Sequence, residues 1–370
     1  MIRVLSVFGT RPEAIKMAPV VKALANHPGI QSRVCVTAQH REMLDQVLEL
    51  FAITPQHDLN IMQERQSLSG VTASALVGVE RVIQEEQPDW VLVQGDTTTV
   101  LSASLAAFYQ RVRVGHVEAG LRTGNKFSPY PEEINRRLSD AIADLHFAPT
   151  ETARRNLLHE GINPASIVVT GNTVIDALLE VVEHVRQSNS NPWRTTALDG
   201  KRVIAVTAHR RENFGEPLQC ICSALLEIAA AYRDDVHIVY PVHRNPSVQD
   251  VVYPRLGSVA NISLLDPLDY RSMVALLDRC YLVLTDSGGL QEEAPSLGKP
   301  VLVLRETTER PEAVEAGTVR IVGTDSARIV RETASLLDDR QSYQRMARAM
   351  NPYGDGHASA RIVEALVRQS

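Results

Sequence analysis

The chain has 370 residues, of which 44% are hydrophobic and 22% charged, the make-up of a globular protein long enough for two domains. Lys plus Arg number 38 against 44 Asp plus Glu, a net charge of −6, which argues against a nucleic-acid partner, since such proteins carry a basic excess. No apolar run approaches the ~20 residues of a membrane span. Met1–Phe8 enters a strand pattern at once instead of a basic and then apolar leader. Cys35, Cys220, Cys222 and Cys280 are too few and too scattered for a disulfide framework. These features predict a reduced, cytoplasmic protein without membrane contact.

Ile2–Phe8 reads as a buried strand, and Pro12–Ala25 has the helical spacing of Ile15, Pro19, Val20 and Leu24, with Pro19 marking a kink or break. Arg33–Thr37 is a second strand and Glu42–Leu50 a helix; Asp89–Val93 and Val112–Val117 are further strands with helices between them. The pattern weakens over Ser188–Gly200 and restarts with the strand Lys201–Thr207. Val236–Tyr240, Ile262–Leu265, Tyr281–Thr285 and Val301–Leu304 follow, each separated by a helical stretch. Strands alternating with helices imply parallel sheets covered on both faces, so the chain reads as two doubly wound α/β halves. Ala358–Arg368 is a terminal amphipathic helix whose docking partner periodicity leaves open. Cys220 and Cys222 diverge on a helix and no His/Asp cluster has ligand spacing, so no metal is expected. The dinucleotide, P-loop, nucleophile-elbow and zincin signatures are all missing.

Open parallel sheets bind ligands at the carboxyl ends of their strands. At the first such end, Phe8-Gly9-Thr10-Arg11-Pro12, the charges of Arg11 and Lys16 suit either an anion at a helix start or an ordinary turn with solvated side chains. In Gln94-Gly95-Asp96-Thr97, Asp96 serves equally as a catalytic acid or a helix N-cap. Glu118 holds the corresponding place after the next strand, and two acids at successive strand ends converge on one crevice. Glu132 and Glu133 fall in the first turn of a helix; complementing the helix dipole is the role assigned to Glu133, whereas Glu132 is open to face the crevice. In the second half, His209 stands beside Arg210 and Arg211, and His243 repeats the theme after the next strand. In Thr285-Asp286-Ser287-Gly288-Gly289, a strand ends and a helix opens, which predicts that the backbone N–H groups of Ser287, Gly288 and Gly289 point at a phosphate. Glu293, further along that helix, suits ribose hydroxyls, and a later loop brings Arg310 toward the same mouth.

In this order the segments FGTRPEAIKMAP, GDTTT, GHVEAGLRT, PYPEE, TAHRREN, TDSGGLQEEAPSLGKPVL, TTERPEA and NPYGDG resemble the non-hydrolysing UDP-N-acetylglucosamine 2-epimerases over essentially the whole chain. The resemblance implies a GT-B fold: two Rossmann-like, doubly wound parallel-sheet domains with the active site in the cleft between them. Residues 1–171 with 352–370 would form the N-terminal domain, the last helix crossing back to it, and residues 172–351 the UDP-binding domain. It implies interconversion of UDP-GlcNAc and UDP-ManNAc for surface polysaccharide, without cofactor or metal, by a homodimer. Arg11, Lys16, His209, Ser287, Gly288, Gly289, Glu293 and Arg310 would hold UDP. Asp96, Glu118 and Glu132 would surround the sugar as acid/base groups, with His209 also catalytic. A second UDP-GlcNAc, as activator, would use Gln39, His40, Arg65, Arg211 and His243; Glu42 stands where some members carry Gln.

The residues suit that chemistry. C2 of the sugar is not beside a carbonyl, so its proton is poorly acidic and direct abstraction is slow. Elimination of UDP to 2-acetamidoglucal, followed by re-addition, avoids this barrier. Cations stabilise the departing diphosphate, and inversion at C2 needs proton traffic on two faces, hence at least two acid/base groups. A GT-B glycosyltransferase is the competing reading, disfavoured because the acids crowd the side an acceptor would need. A non-catalytic UDP-sugar sensor is disfavoured because all the acids are present.

Overall fold

The structure is a computed structural model that describes residues 1–38, 41–62, 66–187, 193 and 198–369. It divides into two compact units, Met1–Ala177 with Tyr353–Ser370, and Leu178–Pro352.

The first unit runs β1 (Ile2–Phe8), α1 (Arg11–Ala25), β2 (Ile30–Val36), α2 (Arg41–Leu50), β3 (His57–Asp58), α3 (Leu68–Glu86), β4 (Trp90–Gln94), α4 (Thr98–Tyr109), β5 (Arg113–Val117), α5 (Glu132–Ile142), β6 (Leu145–Ala148), α6 (Glu151–His159), β7 (Ile167–Val169) and the start of α7 (Thr173–Gln187). Its seven strands are parallel and lie in the order β3-β2-β1-β4-β5-β6-β7. Strands buried on both faces read as continuous apolar runs, and Val4, Leu5, Val7 and Phe8 of β1 and Trp90–Val93 of β4 are all buried. β2 starts at Ile30, ahead of its apolar run, because Gln31, Ser32 and Arg33 still pair with β1.

α1 opens with a capping box: the Glu13 carboxylate accepts from the backbone of Thr10 (2.7 Å) and Gly9 (3.0 Å), and Thr10 accepts from Glu13 N. Of the kink or break expected at Pro19, the break does not occur: the helix continues through it. The lost N–H is a single hydrogen bond, and burial of Met17, Ala18, Val20 and Val21 on either side outweighs it. The terminal helix, in this numbering α15 (Ala358–Arg368), packs against α1 with Ile362, Val363 and Leu366 buried. Its start is tied by Asp176, which accepts from the backbone of Ala358 and Ser359.

Gly9 sits where no side chain fits. A Cβ there would stand 1.9 Å from Thr37 Oγ1 and 2.8 Å from Thr99 Oγ1, two hydroxyls bonded to each other at 2.9 Å. Gly9→Ala is therefore expected to cost about 1–3 kcal/mol, as overpacking does, and to lower Tm by roughly 2–4 °C per kcal/mol. Adding Thr37→Ala removes the clashing hydroxyl, so the double variant should melt above the sum of the two single losses; strict additivity in the melts would contradict this packing.

The second unit continues α7 and then runs β8 (Arg202–Thr207), α8 (Glu216–Ala231), β9 (Val236–Pro241), α9 (Pro246–Leu256), β10 (Ile262–Leu265), α10 (Tyr270–Arg279), β11 (Leu282–Thr285), α11 (Gly288–Ser296), β12 (Val301–Val303), α12 (Pro311–Glu315), β13 (Val319–Ile321), α13 (Ser326–Asp338) and α14 (Arg340–Ala347). Its six parallel strands lie in the order β10-β9-β8-β11-β12-β13 around a core that includes Ile204, Leu225, Tyr240, Leu284 and Leu302. Each sheet thus has one switch point, where successive connections leave toward opposite edges and open a crevice: β1/β4 in the first unit and β8/β11 in the second. Among the described residues, no helix is long and apolar enough to cross a membrane.

Candidate active site

The first unit gathers acids at its switch point. Asp96 follows β4 but is not the cap of α4; Thr97 is, accepting from Val100 N. The Asp96 carboxylate instead meets Arg136 Nη2 at 2.5 Å, and its carbonyl accepts from Asn135 Nδ2 at 3.0 Å, both from α5. Glu118, just beyond β5, is buried with φ +66°, a left-handed conformation that a non-glycine residue keeps only where its surroundings hold it. They do: Lys16 Nζ reaches its two carboxylate oxygens at 2.6 and 2.7 Å, Asn172 Nδ2 donates at 3.0 Å, and Gln94 Nε2 donates as well.

Glu132 opens α5, and among the described residues its buried Oε2 has no hydrogen-bond partner. A buried polar atom in that state is normally served by water or ligand. Glu133, assigned above to the helix dipole, does more: buried, it accepts from the backbone of Thr123 and Gly124, each at 3.1 Å, and so ties the preceding loop to the helix. Arg11, half-buried at the start of α1, has no hydrogen bond or ion pair among the described residues.

The second unit gathers cations. Asp286, fully buried at the end of β11, accepts from His209 N (2.7 Å), Arg210 N (2.8 Å) and Asn213 Nδ2 (3.0 Å), so it holds the turn after β8. The His209 ring lies 3.5 Å from Asp286 and stacks on His243 with centroids 5.3 Å apart. Burial holds the His209 imidazole below its ordinary pKa against the raising pull of Asp286, with His243 and Arg210 adding to the lowering. α11 has no side-chain cap, so its first N–H groups and positive dipole end are left for another partner. A Cβ on Gly288 would lie 3.9 Å from a guanidinium nitrogen of both Arg210 and Arg310; the two cations flank the helix start. Arg310 is steadied by Glu292, and its loop by Thr308, bonded to Gln291 at 2.6 Å. Glu293 is buried, with Oε1 3.8 Å from the Cβ position of Gly289.

An uncapped glycine-led helix between two guanidiniums suits a diphosphate; clustered carboxylates suit proton transfer. Comparison with known proteins decides between the uses of such a pair. The family model for UDP-N-acetylglucosamine 2-epimerase matches residues 22–367. The chain is 58% identical over 369 residues to the UDP-N-acetylglucosamine 2-epimerase of Escherichia coli K12, covering 98% of each chain. The crystal structure of UDP-GlcNAc 2-epimerase from Neisseria meningitidis bound to UDP-GlcNAc superposes with TM-score 0.89 at 51% identity, covering 99% of this chain and 100% of that one. That of the Methanocaldococcus jannaschii enzyme in complex with UDP-GlcNAc and UDP gives TM-score 0.80 at 33% identity, with the same coverage.

The chain belongs to the UDP-N-acetylglucosamine 2-epimerase family. Its two Rossmann-like sheets, seven- and six-stranded, are of the GT-B type.

Against the sequence expectations for this epimerase, several placements differ. The Ser287 N–H, expected to point at phosphate, donates to Thr285 Oγ1 at 2.9 Å, because the residue lies before the first helical turn; Gly288 and Gly289 remain for the anion. Lys16, expected on UDP, is the counter-ion of Glu118, since α1 carries it from the end of β1 across to β5. Arg211 and His243 are exposed in the second unit, where His243 Nδ1 accepts from Asn245 N, while Gln39, His40 and Arg65 lie outside the described residues. Sequence reasoning missed Gln94, Arg136, Asn172 and Asp286. Asp286 had a signal, an acid at a strand end just as Asp96 is; Asn172 had none, standing 54 positions from the Glu118 it supports.

Proposed function

We propose that this chain interconverts UDP-GlcNAc and UDP-ManNAc by inverting C2 of the sugar. What carries the reading is the division of charge between two switch points: cations around an uncapped helix start in one unit, and Asp96, Glu118 and Glu132 in the other. The C1–O bond to the β-phosphate breaks with its electron pair leaving on UDP, and a carboxylate takes the C2 proton, which leaves 2-acetamidoglucal. A proton then returns to C2 on the opposite face as the phosphate oxygen re-forms its bond to C1. Arg210, Arg310, His209 and the first N–H groups of α11 stabilise the charge that grows on the diphosphate. Arg11, without a hydrogen bond or ion pair among the described residues, is a further candidate for the phosphates, and Glu293 suits the ribose. No single acid is assigned to one face of C2.

Incubating the protein with UDP-GlcNAc in D₂O, without added nicotinamide cofactor, tests this. UDP-ManNAc carrying deuterium at C2 is expected. Inversion without label, or free ManNAc with UDP as products, would overturn it. We further propose that the enzyme is a cytoplasmic homodimer feeding ManNAc units to surface polysaccharide, and that a second UDP-GlcNAc acts as activator through Arg211 and His243 with Gln39, His40 and Arg65.

A further inference from the structure

One buried charged cluster has no part in the scheme above, yet it touches the backbone of every element that carries an acid. His116 lies in β5, fully buried, two positions before Glu118. Its Nε2 faces the Gly95 carbonyl at 2.7 Å and its Nδ1 faces Asp140 Oδ1 at 2.6 Å. Both partners are acceptors. A carbonyl only accepts, and the Asp140 carboxylate also receives Arg122 Nη2 (2.7 Å) and Gly120 N (3.2 Å), which marks it as ionised. Both ring nitrogens therefore carry hydrogens, and the ring is an imidazolium. Arg122 continues the chain to Glu160 at 2.6 Å, and His146 Nε2 meets the Asp140 carbonyl at 2.8 Å; among the described residues these are the titratable groups that face the pair. Burial works against the charged ring, but Asp140 and the Gly95 carbonyl outweigh it and leave the His116 pKa raised.

The positions of these partners matter. Gly95 immediately precedes Asp96 and has φ +80°; its N–H already donates to Val117 O at 3.0 Å. With His116 on its carbonyl, the turn that presents Asp96 is fastened to β5 at both polar groups of one residue. Asp140 lies two turns along α5 from Glu132, and through Gly120 N it also grips the segment just after Glu118. One ring and one carboxylate thus lock together the Asp96 turn, the Glu118 strand and the Glu132 helix.

We propose that His116, held as an imidazolium between Asp140 and Gly95, is a positioning residue that fixes the three carboxylates relative to one another. It rests on the reading of Asp96, Glu118 and Glu132 as the acid/base groups. An error of about 1 Å in such a set costs on the order of 10²-fold in rate. An asparagine offers both its hydrogens from one nitrogen and cannot serve acceptors on opposite sides of the imidazole. For H116N, kcat for epimerisation is expected to fall about 10- to 100-fold while KM for UDP-GlcNAc and the affinity for UDP alone stay within about threefold of the unaltered enzyme. A general structural defect would move all of these together. Turnover within about twofold of the unaltered enzyme, or UDP affinity lost in step with kcat, would overturn the proposal. Ring-nitrogen NMR of the unaltered, histidine-labelled protein keeps it testable should H116N not fold. A buried ring protonated on both nitrogens at neutral pH supports the proposal, and only neutral tautomers among the buried histidines refute it. Failure of the unaltered protein to epimerise at all would strike instead at the reading of the acids.

Discussion

Glu118→Gln is expected to lower kcat by about 10²–10⁴-fold, the contribution typical of a general acid–base group, while UDP affinity stays close to that of the unaltered protein. The carboxylate accepts from Lys16, Asn172 and Gln94. A glutamine of the same size keeps one accepting oxygen but turns its amide hydrogens toward those donors and removes the negative charge that Lys16 meets at 2.6 Å. The residue also gives up the one thing the chemistry asks of it, the capacity to take and return a proton. The split between turnover and binding is the informative part, because His209, Arg210 and Arg310, proposed to hold the diphosphate, belong to the other unit. Calorimetric titration with UDP and a coupled assay of epimerisation measure the two sides separately. A variant that keeps more than a tenth of the turnover would remove Glu118 from the acid/base set.

Asp286→Ala should do the reverse and more. The carboxylate is fully buried and organises the backbone of His209 and Arg210 together with the Asn213 amide. Truncation orphans three donors in a dry site, each costing about 1–3 kcal/mol where no water replaces the lost acceptor. The turn after β8 is then released, so His209 and Arg210 lose their fixed positions beside the start of α11. A marked fall in Tm is expected together with a loss of at least about tenfold in UDP affinity, equivalent to 1.4 kcal/mol. Asp286→Asn retains one acceptor and should fall between the two. Unchanged melting and unchanged UDP binding in Asp286→Ala would show that the turn is held by something else.

Much of this protein is written locally. β-branched runs alternating with amphipathic stretches are enough to call for parallel sheets with covered faces, because each element carries its own burial pattern. The acids Asp96 and Glu118 and the Ser-Gly-Gly turn could be picked out because they sit directly after such runs, and in an open parallel sheet that is where chemistry collects. The ordered motifs then led to the family that comparison establishes.

Periodicity identifies a strand but not its neighbours. The pairing of β1 with β4 joins Ser6 to Leu92, and that of β8 with β11 joins Ala205 to Val283; these contacts create the switch points, and no local signal encodes them. The same distance in sequence hid partners of Asp96 and Glu118. Asp96 suits either a cap or a catalytic acid from its local sequence; Thr97 takes the cap, while Arg136, 40 positions on, meets the carboxylate. Lys16, beside a helix start, suits an anion or a solvated turn from its local sequence, and its contact with Glu118, 102 positions away in the chain and 2.6 Å away in space, has no local signal. Which residues carry charge, and where along each strand they fall, can be read from their order in the chain. Which charges meet follows from the fold, because electrostatic and hydrogen-bond energies depend on separations of a few ångströms that the packing of distant elements sets.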